Sequence, residues 1–141
     1  MMTKIYHSFV VAIAILVAGC AASANKHSEL YKFPDLQEVS SIDNFRMNGW
    51  EYIDKYSLFI NSGPKKSYLV IFNGPSNDLK FAQRLQVSSK LGRVEVGFDN
   101  IVVGDNPDIK YNIKRMYLIK DKEEKKAIKQ QILAFDDKNK K

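Results

Sequence analysis

Cysteine occurs once in this sequence, at Cys20, and histidine only at His7 and His27. A lone thiol cannot close a disulfide within the chain, so the fold must rest on its apolar core. Both histidines precede the stretch that reads as a folded domain, residues 36–135. A Ser-His-Asp or Cys-His arrangement is therefore excluded from that domain, and so is a zinc site built on His or Cys. No dithiol is present for disulfide exchange. Neither Gly-x-Gly-x-x-Gly nor a P-loop occurs, so no fingerprint points to a nucleotide cofactor. Gly104–Asp108 lacks the alternating acids and distant glutamate of a calcium loop. The expectation is no cofactor, no metal, no catalytic residue and a non-enzymatic role.

What is present begins with one greasy run. Met1 to Ser8 hold Lys4 and no acid, Phe9 to Ala18 are all apolar, and small residues follow. A basic start, a short apolar middle and a small-residue exit predict a secretory leader. The run is shorter than the ~20 residues a membrane span needs, and it lacks the polar face of a core helix. Its end, Val17-Ala18-Gly19-Cys20, resembles the lipobox of bacterial lipoproteins. The resemblance implies cleavage between Gly19 and Cys20, a diacylglyceryl group on the Cys20 thiol and acylation of the new amino end. Two or more chains give stable anchoring where one does not. With Ala21 rather than aspartate after the cysteine, the resemblance implies the periplasmic face of the outer membrane. The expected divisions are a leader over 1–19, an acylated cysteine and tether over 20–35, a domain over 36–135 and a charged tail over 136–141.

The 141 residues carry a net charge of +6, with 22 basic and 16 acidic residues. The leader removes one charge, Lys4. The lysines are scattered among acids, which reads as solubility and a mild attraction to anionic envelope material rather than nucleic-acid binding. The expected partners are membrane lipid through Cys20 and an envelope protein or polymer.

Along the domain, Leu36, Val39 and Ile42 recur at three-residue spacing, which predicts a short helix over Leu36–Phe45. Met47–Asp54, Ser57–Asn61 and Lys66–Asn73 predict a three-stranded meander, with Ser62-Gly63-Pro64-Lys65 as a turn. The run Tyr68–Phe72 predicts a strand covered on both faces. Asp78 is expected to cap a helical turn over Leu79–Ala82. Leu85–Val87 and Phe98–Val103 predict further strands, Arg93–Val96 reads as strand or loop, and Tyr111–Ile119 is the last strand after a turn at Gly104–Asp108. Asp121 and Glu124 have capping-box spacing, and Ile128, Ile132 and Phe135 form one helical stripe. The predicted fold is mainly β: a small antiparallel sheet curled toward a barrel and closed by a C-terminal helix.

Candidate ligand contacts are the aromatics Trp50, Tyr52 and Tyr68, with Tyr56 and Tyr111 beside them; core packing is the commoner use of such residues. Asp54, Asp78, Glu95, Asp99, Asp105 and Asp108 are the carboxylates of the domain. A glycosidase would need two of them about 5–9.5 Å apart, and turn formation is the ordinary reason for Asp105 and Asp108. Arg46 and Arg115 suit an anionic group or simply flank the strands. An alternative function is therefore a small-ligand or weakly hydrolytic domain using carboxylates on the aromatic face.

Phe45–Trp50, Tyr52-Ile53-Asp54, Tyr68-Leu69-Val70, Ser76–Leu79, Ile113 and Met116 together resemble an uncharacterised family of small bacterial lipoproteins. The resemblance implies localisation and compactness and supplies no activity. It also implies that relatives carry a cysteine pair where this chain has Ser76 and Tyr111.

Overall fold

The structure, a computed structural model, describes residues 29–139, so Gly19, Cys20 and the leader lie outside the described residues. The chain divides into two compact units, Met1–Phe33 and Pro34–Lys141. Of the first, residues 29–33 are described: a helical end at 29–30, buried Tyr31 and Phe33, and Lys32 paired with Glu29 at 2.5 Å.

The second unit contains β1 (Gln37–Val39), β2 (Ser41–Ile42), β3 (Met47–Asp54), β4 (Ser57–Ser62) and β5 (Lys66–Phe72). A 3-10 turn (Asn77–Phe81) follows, then β6 (Leu85–Val87), β7 (Val94–Glu95), β8 (Asn100–Val103), β9 (Asn106–Ile119) and α1 (Lys122–Asn139). The main sheet runs β3-β4-β5-β9-β8-β6, with β1 also on β9; β2 and β7 form a separate pair. All these pairings are antiparallel. The sheet is a curled half-barrel closed by the C-terminal helix, as its sequence predicts.

The meander forms where its turn chemistry dictates. Asp54 Oδ1 accepts from the Tyr56 N–H at 3.0 Å and from Ser57 Oγ at 2.7 Å, folding β3 back onto β4. Gly63 supplies a φ of +69° between β4 and β5, a conformation that costs glycine little.

Strand β9 is the pivot. Its second half pairs with β5 and with β1, and its first half with β8. Between the pairs Ile71–Arg115 and Phe72–Ile113 it carries one extra residue, Lys114. Such a bulge bends the strand and increases its twist, so one strand serves both halves of the curl.

Leu58, Ile60, Val70, Phe72, Ile101, Ile113 and Met116 form the inner core with Ile42, Val94, Leu79 and Leu85. The opposite face presents Phe59, Leu69 and Tyr117 in register, all buried. Helix α1 contacts β3 and β9, places Lys125 Nζ 4.9 Å from the Phe59 ring centre, and buries Ile128 and Ile132. Strand β5 is thus covered on both sides, which is why Tyr68–Phe72 is a continuous apolar run. Asp121 Oδ1 accepts from the Glu124 N–H at 2.8 Å, while Glu124 reaches back to the Lys120 N–H at 2.7 Å.

Several expectations are corrected. Leu36–Phe45 is not a helix but β1 and β2, paired with residues of β9 and β7. The three-residue spacing marks burial of Leu36 and Ile42, yet the hydrogen bonds are made with distant strands. Arg93–Val96 contributes a true strand, β7. The fifth strand starts at Asn100 rather than Phe98, and the last starts at Asn106 rather than Tyr111. The 3-10 turn has Ser76 at its N-cap position with no side-chain cap bond; Asp78 instead accepts from the Tyr111 hydroxyl at 2.8 Å. Helix α1 continues past Phe135 to Asn139.

Candidate functional site

Strand register places Trp50 opposite Ile60 and Ile60 opposite Tyr68, while Tyr52 lies opposite Leu58. Side chains alternate along a strand, so Trp50, Tyr52 and Tyr68 share the inner face. Tyr68 is buried in the core cluster, and Trp50 and Tyr52 pack against it half-buried. Burial raises the Tyr68 phenol above its ordinary pKa. Burial does the same first for Tyr52, reinforced by the Asp54 and Asp136 carboxylates. Both rings therefore stay neutral at physiological pH.

Asp54, Asp99 and Glu95 have structural partners. Asp54 closes the β3–β4 turn. Buried Asp99 accepts from the Glu95 N–H at 2.7 Å and from Ser88 Oγ at 3.0 Å. Glu95 lies 3.0 Å from Arg93, which also faces Asp43 at 3.5 Å. Asp105 and Asp108 are exposed, and the Asp108 N–H donates to Asn106 Oδ1 at 3.3 Å. Arg46 is exposed, whereas Arg115 lies 3.8 Å from Glu38. Among the described residues, no three of His, Cys, Asp and Glu are grouped to hold a metal ion.

At the positions where the resemblance implies a cysteine pair, other bonds act. Ser76 is buried and donates through Oγ to the Lys55 carbonyl at 2.8 Å. The Tyr111 ring lies 5.8 Å from that of Phe72, and its hydroxyl ties β9 to Asp78, two residues beyond Ser76. Burial first, then the Asp78 contact, raises the Tyr111 pKa. Hydrogen bonds and a ring contact thus hold the loop to the sheet.

Three depressions of the domain share lining residues. A depression of about 390 Å³ is lined by the β4–β5 turn, the end of β9 and the start of α1, including Lys65, Lys66, Lys120, Lys122 and Lys125. A second, of about 340 Å³, shares residues 63–66 with the first and adds Arg46, Asp43, Asn44 and Tyr68. A third, of about 580 Å³, shares Asp43 and Asn44 with the second and adds Lys90, Leu91, Arg93, Glu95, Phe98 and Asp99. Asn61 and Ser67 of the first lie on the helix-covered face of the sheet and Ser62 and Tyr68 of the second on its inner face, so the β4–β5 turn separates these two.

Leu91 and Phe98 are the side chains that sequence reasoning missed. Leu91 is fully exposed and Phe98 is 81% exposed. Leu91 and Gly92 have φ of +54° and +74°, and Lys90 bridges to Arg93 across them. Two central residues with positive φ make the tight hairpin turn that Asn-Gly normally fills. A leucine there is both strained and presented to solvent. The available signal was Lys90-Leu91-Gly92-Arg93, a turn whose first central residue is apolar.

Residues 1–135 match the model of a family of unknown function, DUF6491. No curated protein and no solved structure matches the chain. The half-barrel closed by α1 is therefore the fold of a chain that belongs to this family of unknown function, DUF6491.

Proposed function

We propose that the chain is an exported lipoprotein, held at the periplasmic face of the outer membrane by acyl chains on Cys20. Its domain binds or organises an envelope component rather than catalysing a reaction. The observation that carries this reading is Val17-Ala18-Gly19-Cys20, the sole cysteine at the end of the apolar run Phe9–Ala18. The domain's chemistry supports it. Asp54, Asp78, Glu95 and Asp99 are engaged in turns, a hydroxyl contact, an ion pair and a loop anchor, and the aromatics Trp50, Tyr52 and Tyr68 are engaged in core packing.

The test is mass spectrometry of the amino-terminal peptide from native membranes. The expected result is a peptide beginning at Cys20, with a diacylglyceryl thioether and an acylated amino group. Cys20→Ser is expected to retain its leader. An unmodified Cys20 sulfur on a chain that still carries residues 1–19 overturns the reading.

A further inference from the structure

We infer that the lysine-lined depression between the β4–β5 turn and the start of α1 is a binding site for a compact ligand carrying more than one phosphate group. The inference deepens the binding role proposed above by naming the chemistry of what is bound, and it rests on that reading for its setting. Cross-strand register aligns Gly49, Asn61, Ser67 and Ile119 in one row across β3, β4, β5 and β9. The neighbouring row on the same face is Glu51, Phe59, Leu69 and Tyr117, over which α1 packs. Its two middle positions are apolar and buried; one row further along, the middle positions turn polar. Asn61 and Ser67 line the depression there. Ser67 Oγ donates to Asn61 Oδ1 at 2.8 Å, which orients the amide and leaves Asn61 Nδ2 as a donor with no partner among the described residues.

Around these two stand Lys65, Lys66, Lys120 and Lys122, all exposed and lining the same depression. None of the four has an ion-pair partner among the described residues. The one acid in the lining, Asp121, is engaged in capping α1. Converging like charges repel one another, and a bound anion relieves that repulsion. No arginine lines the depression, so the planar fork that suits a carboxylate is missing. Lysine ammoniums act as point charges with rotatable donors, and several can gather around a tetrahedral phosphate. Four unmatched cations exceed the charge of about −2 on a single phosphate ester, so the ligand carries more than one. A volume of about 390 Å³ is at the small end of the range for small-molecule sites, which favours a compact ligand over a polymer.

The experiment uses the processed chain, residues 20–141, carrying Cys20→Ser so that no acyl chain contributes. Inorganic pyrophosphate is the probe, titrated at low salt by calorimetry and followed by amide resonances in solution. The expected result is saturable binding, with shifts gathered at residues 61–67 and 119–125, a readout that needs no variant. K65Q/K66Q/K120Q/K122Q is expected to weaken binding roughly tenfold or more. K55Q/K80Q/K90Q/K110Q removes the same charge from outside the depression and is expected to leave affinity nearly unchanged. N61L keeps every lysine and is expected to weaken binding roughly tenfold, because a donor to a charged group is lost. Circular dichroism checks that each variant folds. Citrate, a tricarboxylate, is expected to bind more weakly than pyrophosphate. Phosphatidic acid vesicles that displace pyrophosphate would assign the phosphates to a lipid surface, and vesicles that leave it bound would assign them to a soluble ligand; both support the inference.

No binding, or shifts scattered over lysines across the domain, overturns the inference. So does an equal loss in the two lysine variants or full affinity in N61L, either of which would reduce the effect to net charge. Citrate binding as tightly as pyrophosphate overturns the assignment to phosphate. These failures leave acylation of Cys20 untouched, because the thiol is absent from the assay.

Discussion

Leu91 sits in a backbone conformation that costs an L-residue other than glycine or asparagine roughly 1–2 kcal/mol. Its side chain makes no return on that strain within the domain, being fully exposed. Leu91→Asn is therefore expected to raise stability by about 0.5–1 kcal/mol, read from urea unfolding. A loss of stability would show that the leucine packs usefully in the folded chain. Asp99 behaves in the opposite way. Its carboxylate is buried and takes the Glu95 N–H and Ser88 Oγ, and Ser88 Oγ in turn takes the Asn100 N–H at 2.9 Å. Asp99→Ala leaves the Glu95 N–H and the Ser88 hydroxyl without their acceptor and is expected to cost about 1–3 kcal/mol, again by urea unfolding. An unchanged midpoint would mean that water replaces the carboxylate without penalty.

At the scale of elements, α1 is joined to β3 by charge as well as by its apolar stripe. Glu51 receives Lys125 at 2.9 Å and Lys129 on its other oxygen. The Lys129 hydrogen bond lowers the Glu51 pKa most, partial burial opposes it, and Lys125 adds to the lowering. A folded-state pKa below the unfolded one means that the stabilisation is present above the unfolded value of 4.5 and fades as pH falls through the folded value. Glu51 remains 38% exposed in its side chain, so solvent screening limits the effect to about 0.5 kcal/mol. Glu51→Gln is expected to lose that amount near neutral pH and nothing well below pH 4.5. Paired denaturation curves at the two pH values measure it, and a pH-independent difference would assign the loss to packing instead. The β2–β7 pair illustrates the converse case: two residues a side, too short to stand alone, held because Ile42 and Val94 enter the main core.

At the scale of the whole molecule, β9 makes one cooperative body of the curled sheet. Met116 is fully buried in its second half, with Val70 on one neighbouring strand and Val39 on the other. Met116→Ala is expected to cost about 2–5 kcal/mol and to lower one transition common to the fluorescence of Trp50, the only tryptophan, and far-ultraviolet circular dichroism. Two separated transitions would show that the halves on either side of Lys114 unfold independently. Much of this architecture is legible in the sequence. The meander from Met47, the doubly covered run Tyr68–Phe72 and the capped helix after Asp121 follow from residue type, spacing and turn chemistry, all set by neighbours within a few positions. The same local logic misreads Leu36–Phe45, because Leu36, Val39 and Ile42 mark burial while the backbone partners lie far along the chain, in β7 and β9. It also misses the lysine-lined depression, which the β4–β5 turn and the β9–α1 junction build together, and the exposed Leu91 and Phe98 in the turns around β7. The sequence by itself determined the mainly β class, the closing helix and the lack of histidine or thiol chemistry in the domain, since these depend on composition and short-range pattern. Only the tertiary structure decided that β9 pairs on both sides, that the aromatics Trp50, Tyr52 and Tyr68 serve the core, and that scattered lysines meet on one depression. Those outcomes depend on which distant strands become neighbours, and long-range pairing leaves no periodic mark in either partner.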